Sequence, residues 1–144
     1  MGKKRVVKKA GAGLDKALKA RSLSKGLKKK LSSGILYVEA TYNNSKLTLT
    51  DESGNVIVWS TSGALGFKGA KKGTPYAASE IAKVVGEKAT ATGLKEVRVI
   101  VKGVGSGREA AIRSFASFGF QINSIEDRTP VPHNGPKAKK PRRV

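Results

Sequence analysis

The chain has 144 residues, of which 29 are Lys or Arg and 10 are Asp or Glu, giving a formal net charge of +19. A compact fold with that excess repels itself unless a polyanion neutralises it, so nucleic acid or an acidic membrane is the expected partner. The absence of cysteine excludes disulfides and thiolate metal sites. No run has the length and apolarity of a signal peptide or a membrane span, so we expect a protein of the cytosol or an organelle interior.

The first 33 residues are predicted to form a basic N-terminal extension, because they hold twelve Lys or Arg and one acid. Leu23, Leu27 and Leu31 recur at helical spacing, and Leu14 pairs with Leu18 in the same way. Runs of like charge oppose a stable free helix. We therefore expect this extension to be helical only where it docks on a partner.

Three β-rich runs follow with tight connections: "GILYVEATYNN", "SKLTLTD" and "VIVWST". In the first run Leu36 and Val38 alternate with Tyr37 and Glu39, as in a strand with one buried face. The turn "DESGN" joins the second run to the third, so Asp51 is a turn residue rather than a catalyst. The pattern predicts an antiparallel meander.

A first glycine loop, "SGALGFKGAKKG" (residues 62–73), leads to a helix that Thr74 caps, Pro75 opens and Gly93 ends. The alternating run "KEVRVIVK" predicts another strand, and a second helix and a final strand, "FQINSIED", follow. This order predicts one α/β domain over residues 34–127, with three layers and a mixed sheet. A basic C-terminal tail, residues 128–144, comes after it.

A second glycine loop (residues 103–108) lies in the stretch "VKGVGSGREAAIRSF" and places Gly103, Gly105 and Gly107 between a strand and a helix. Free N–H groups and the helix dipole favour an anion there, and Arg108 adds a charged, two-pronged donor. The spacing is neither that of a dinucleotide-binding loop nor that of a P-loop. These residues fit a phosphate contact and an ordinary tight turn equally well.

The first glycine loop favours the phosphate interpretation. Lys68, Lys71 and Lys72 interleave with its glycines, and lysines contact phosphates. Phe67 could stack on an unpaired base or plug the core beneath the loop. Two cationic loops and two basic arms suit a long phosphate backbone better than a small ligand.

No constellation of residues indicates catalysis. A metal-dependent nuclease needs converging carboxylates, whereas the candidates are dispersed over a turn, two predicted helix surfaces and a strand end: Asp51, Glu80, Glu109, Glu126 and Asp127. Glu109 is placed to pair with Arg113 one helical turn later. His133 has no nucleophile or carboxylate near it in sequence. We expect no enzymatic activity, no metal and no cofactor.

Three stretches together resemble one family: "TYNNSKLTLTDESGNVIVWSTSGALGFKGAKKGTPYAA", "VKGVGSGRE" and "IEDRTPVPHNGPKAKKPRRV". From about Gly34 to Val144 the chain resembles the bacterial-type small-subunit ribosomal protein eleven. The resemblance implies a ribonuclease-H-like, three-layer domain without catalysis, bound to the central domain of small-subunit rRNA at the platform, near the messenger RNA exit. Its implied neighbours are ribosomal proteins seven, eighteen and twenty-one, and no homo-oligomer is expected.

The resemblance and the loop chemistry together predict one set of RNA-binding residues: Asn43, Asn44, Phe67, Lys68, Lys71, Lys72, Gly103, Gly105, Gly107, Arg108, His133, Asn134, Lys137, Lys139, Lys140, Arg142 and Arg143. The chain departs from the family at Val104, where proline is common, and at Gly73, where serine is common. The implied function is a structural constituent of the small ribosomal subunit, in the cytoplasm or an organelle. A free RNA chaperone or processing factor and a nuclease stay open as alternatives.

Overall fold

The computed structural model describes residues 29–143, which contain five strands and two α-helices. In chain order they are β1 (Ser33–Ala40), β2 (Ser45–Thr50), β3 (Val56–Thr61), α1 (Pro75–Thr92), β4 (Glu96–Lys102), α2 (Gly107–Ala116) and β5 (Gln121–Asp127). Two short 3-10 turns, Gly63–Leu65 and Gly69–Gly73, lie in the first glycine loop. The predicted strands and helices are all confirmed, whereas the leucine pattern from Leu14 to Leu27 lies outside the described residues.

The strands form one mixed sheet in the order β3-β2-β1-β4-β5. β1, β2 and β3 pair antiparallel, as the meander prediction requires. β4 lies parallel to β1, and β5 lies parallel to β4. The α/β class and the mixed sheet are therefore confirmed.

Both helices pack against the same face of this sheet. β3, β4 and β5 are parallel to one another, and the crossovers through α1 and α2 both advance toward the β5 edge. Such crossovers are right-handed, so two that advance in the same direction lie on the same side. The described residues thus form two layers, a sheet and a pair of helices, and the three-layer prediction is wrong for this part of the chain.

One hydrophobic core fills the space between the sheet and the helices. Leu36 and Val38 of β1 point into it, as their alternation predicted. Their registered neighbours on β2 and β4 point the same way: Leu47, Leu49, Val99 and Val101. Phe115 of α2 is fully buried and stacks on Phe120 with ring centroids 4.7 Å apart. This core fixes where each strand ends, and hence where the loops begin.

The other sheet face carries no helix within residues 29–143. Tyr37, Thr48 and Trp59 form a cross-strand row on it, running from β1 to the β3 edge. The Trp59 side chain at that edge is exposed. Helices therefore cover only one side of the described sheet.

Helix α1 begins and ends as the sequence predicts. The Thr74 hydroxyl accepts a hydrogen bond from the Ala77 N–H at 3.3 Å, and Pro75 stands in the first turn, where no N–H is required. Gly93 ends the helix in the left-handed conformation that glycine adopts without strain. Within the described part of the chain, neither helix has the length and apolarity to cross a membrane.

Candidate nucleic-acid interface

Four segments leave the sheet at one end, because β1, β3, β4 and β5 are parallel and all finish there. These segments are the β1–β2 turn (residues 41–44), the first glycine loop, the second glycine loop and the C-terminal tail. Ligands of open α/β sheets bind at the carboxyl ends of the strands. All the predicted RNA-binding residues lie in these four segments. The fold therefore places the first residues of all four segments at the same end of the sheet. We call this region the carboxyl-end surface.

Hydrogen bonds hold the loops of this surface against one another. The Ser106 hydroxyl donates to the Gly73 carbonyl at 3.0 Å and so joins the two glycine loops. The Gly105 N–H donates to the Ala40 carbonyl at 2.9 Å, which fixes the second loop to the end of β1. The loops are therefore positioned by the fold itself, before any ligand binds.

Close approach between backbones explains why glycine stands at three of these positions. A Cβ at each would lie 2.1 to 2.4 Å from a carbonyl oxygen: Gly73 against Tyr42, Gly103 against Ala40, and Gly105 against Thr41. Gly103 also has a φ of 99°, which side chains disfavour. The tight-turn interpretation thus accounts for these glycines, and contact with phosphate is not needed to explain them.

The two helices begin side by side at the carboxyl-end surface. A Cβ on Gly107 would lie 2.7 Å from the Cβ of Ala78, so the first turns of α1 and α2 touch. The first N–H groups of a helix lack intrahelical partners and form the positive end of its dipole. Two such ends at one surface favour an anionic ligand.

Three lysines of the first glycine loop add free positive charge. Lys68 and Lys71 are exposed and Lys72 is half-buried. Among the described residues none of the three makes an ion pair, whereas some other cations do, as Lys46 does with Glu39 at 2.8 Å. These lysines are available to phosphate oxygens.

Arg108, in the first turn of α2, is already paired with Asp127 at the end of β5. Thr129 donates to the same carboxylate twice, from its hydroxyl at 2.6 Å and its N–H at 3.0 Å. These two hydrogen bonds, followed by the one from Arg108, lower the pKa of Asp127 to about 2. The Arg108 guanidinium therefore lies at the carboxyl-end surface with one carboxylate, that of Asp127, already bound to it.

The described tail carries five of the predicted cations: Lys137, Lys139, Lys140, Arg142 and Arg143. From residue 130 onward it is exposed, and it makes no hydrogen bond or ion pair with the rest of the described chain. His133 is exposed within it, and Asn134 has a φ of 55°, the left-handed region that asparagine tolerates better than most residues. The charged side chains of the tail are thus accessible to a ligand.

The aromatic side chains differ from the prediction in one respect. Phe67 is half-buried against the core and meets Tyr76 edge-on, with ring centroids 5.9 Å apart, so its ring is not freely displayed. The exposed rings of this region are Tyr42, 77% exposed, and Tyr76, 56% exposed. Neither ring was among the predicted RNA-binding residues, although an aromatic residue in a short polar turn beside Asn43 was a signal for Tyr42.

The two predicted asparagines have different surroundings. Asn44 closes the β1–β2 turn, since its N–H donates to the Thr41 hydroxyl at 3.1 Å and its carbonyl accepts from the Thr41 N–H at 2.8 Å. The Asn44 Oδ1 atom is buried and has no hydrogen-bond partner among residues 29–143. Asn43 is exposed. Asn43 is thus the more accessible of the pair.

The carboxylates show no catalytic arrangement. Within residues 29–143, no group of three or more His, Asp or Glu side chains could hold a metal ion. Glu109 pairs with Arg113, as predicted. Glu80, predicted on a helix surface, is instead buried and pairs with Lys83. The carboxyl-end surface instead provides hydrogen-bond donors and positive charge.

A comparison with known families matches residues 34–143 to the family described as Ribosomal protein S11. The chain belongs to the ribosomal protein S11 family. A relative named small ribosomal subunit protein uS11, from Solibacter usitatus (strain Ellin6076), is 46% identical over 129 residues, covering 90% of this chain and 96% of the relative. Another protein of that name, from Sphingopyxis alaskensis (strain DSM 13593 / LMG 18877 / RB2256), is 50% identical over 117 residues, covering 81% and 91%. S11-family membership confirms the resemblance seen in the sequence and the expectation that this chain is not an enzyme.

Proposed function

We propose that this chain is a structural constituent of the small ribosomal subunit that binds rRNA at the platform and supports assembly and translation. The observation that carries the proposal is the convergence, on the carboxyl-end surface, of two helix N-termini, a basic tail and three lysines that make no ion pair within the described chain. The names of the two uS11 relatives support the ribosomal role. The charge distribution supports RNA as the ligand.

Binding in this mechanism is electrostatic and architectural. The sheet and helices hold the two glycine loops in place, and their cations displace counterions from the RNA backbone. Fully extended, residues 130–143 reach about 45 Å, far enough to follow a groove between RNA helices. No step turns over a substrate, so the role needs neither a cofactor nor a metal.

We further propose where this chain lies in the small subunit and to which fold lineage its domain belongs. The chain binds the central domain of the rRNA near the messenger RNA exit, as one copy in the cytoplasm, beside ribosomal proteins seven, eighteen and twenty-one. The basic extension (residues 1–33) and the tail (128–144) flank a domain (34–127) of ribonuclease-H-like lineage. The strand order, an antiparallel meander followed by two crossovers between parallel strands, supports that lineage.

The binding test measures the affinity for a central-domain rRNA fragment over a series of salt concentrations. For about eight phosphate contacts, log K falls against log salt with a slope of roughly −6 to −7. The double variant Lys71→Ala/Lys72→Ala is expected to make that slope less steep by about 1.5 to 2. Lys95→Ala is the control, because Lys95 is exposed at the opposite end of the sheet. Equal slopes for the double variant and wild type would contradict the proposed surface.

A second test separates a ribosomal constituent from a free RNA chaperone. In density-gradient sedimentation of a cell extract at moderate salt, a constituent travels quantitatively with the small ribosomal particle. A chaperone that uses the same surface remains largely at the top of the gradient. Recovery of most of the chain there would favour the chaperone.

A further inference from the structure

One acidic side chain stands among the cations of the carboxyl-end surface, where it contacts two segments directly and a third through Thr129. Asp127 pairs with Arg108 of α2 and accepts two hydrogen bonds from Thr129, the second residue of the tail. The Thr129 hydroxyl also accepts a hydrogen bond from the Gly103 N–H at 3.2 Å. Asp127 and Thr129 thus tie together a helix start, the second glycine loop and the root of the tail.

Burial does not explain this carboxylate, because the Asp127 side chain is 52% exposed. Its charge also opposes the approach of a polyanion, so charge complementarity alone disfavours an acid at this point. The tail makes its last hydrogen bonds to the domain here: the Arg128 N–H donates to the Val101 carbonyl at 2.9 Å, and Thr129 contacts Asp127 and Gly103. The direction in which the tail leaves the domain is therefore set at this junction.

We infer that Asp127 is a positioning residue for RNA binding: through Thr129 and Arg108 it directs the basic tail and the guanidinium toward the same stretch of RNA backbone. The inference rests on the proposed function. A chain held in its bound direction loses less conformational freedom on binding, which raises affinity without any added contact. The opposite interpretation, in which Asp127 merely occupies Arg108 and repels phosphate, predicts a change of the opposite sign.

The test compares three variants for affinity to the central-domain rRNA fragment at one salt concentration. Asp127→Asn removes the charge and is expected to weaken binding about fivefold to tenfold, the worth of one or two net hydrogen bonds. Thr129→Val removes the bridging hydroxyl at constant charge and is expected to weaken binding by a similar factor. Glu109→Gln is the matched control, since it likewise removes one ion-paired acid, in this case from the first turn of α2. Its affinity is expected to stay within about twofold of wild type.

A coupling measurement separates positioning from a loss of structure. In the wild-type chain, the double change Lys139→Ala/Lys140→Ala is expected to weaken binding about fivefold. In the Asp127→Asn background the same double change is expected to weaken binding less than twofold, because the tail is no longer directed toward the RNA. Asp127→Glu keeps the charge and is expected to restore part of the affinity. Thermal unfolding of each variant confirms that the domain is folded.

The outcomes are distinct. Tighter binding by Asp127→Asn, or unchanged binding by Thr129→Val, overturns the positioning role while leaving RNA binding intact. A wild-type chain that fails to bind the rRNA fragment at all overturns the proposed function, and the positioning role falls with it. Weaker binding by both variants, with the control unchanged and the tail lysines coupled, supports the inference.

Discussion

Replacing Gly103 with alanine is expected to destabilise the domain strongly. The φ of 99° at this position costs an alanine about 1–2 kcal/mol. The added Cβ would also lie 2.1 Å from the Ala40 carbonyl oxygen, a backbone atom that cannot rotate away. Relieving such overlap by backbone shifts costs about 1–3 kcal/mol more. The expected loss of unfolding free energy is therefore about 2–5 kcal/mol.

The assay is urea denaturation of the free protein, with Gly119→Ala as the matched control. Gly119 has a φ of 86°, but a Cβ there meets nothing within 4 Å, so only the conformational cost applies. With a urea m value of about 2 kcal/mol per molar, the additional 1–3 kcal/mol at Gly103 lowers the midpoint by roughly 0.5–1.5 M beyond that of the control. Equal midpoints for the two variants would refute the reasoning from close approach and leave the positive φ as the structural reason for glycine at position 103.

Three further outcomes are expected. Phe115→Ala, which empties a fully buried site, should lower the unfolding free energy by about 3–5 kcal/mol in the same urea assay. Tyr42→Ala should weaken binding of the rRNA fragment at least fivefold, since stacking on a base is worth about 1–3 kcal/mol, with the melting temperature unchanged. Hydrogen bonds lower the folded-state pKa values of Asp51 and Asp127 below 3.8. The stabilisation that these two carboxylates contribute is therefore fully present above about pH 4 and is lost as the pH falls toward 2. Urea midpoints measured from about pH 5 to about pH 2 should show this loss, and the midpoint should decline less for Asp51→Asn than for wild type.

Local signals in the sequence were sufficient to predict the secondary structure. The cap, the proline and the terminal glycine of α1 each act within one helical turn, so Thr74, Pro75 and Gly93 could be assigned without any tertiary information. The number of layers could not be obtained in this way. The number of layers depends on β4 pairing with β1, and this pairing is determined by the tertiary packing of the whole sheet rather than by local sequence.

The candidate site was predictable in composition but not in geometry. The lysines and glycines of the loops were visible in the sequence, whereas the pairing of Arg108 with Asp127 requires α2 and β5 to be packed together. The burial of Glu80 had a similar cause. Helix α1 packs against both the sheet and α2, so its buried side is wider than one amphipathic stripe.

The separation of charge within this chain has a practical consequence for handling the protein. Six of the nine acids in residues 34–127 are held in ion pairs with nearby cations, whereas the lysines of the first glycine loop and the cations of residues 130–143 make no ion pair within the described chain. Concentrated salt screens the contacts of the tail with a polyanion far more than it disturbs a core made of aliphatic and phenyl groups. A molar salt wash should therefore strip contaminating nucleic acid from the purified chain and leave its circular-dichroism spectrum unchanged.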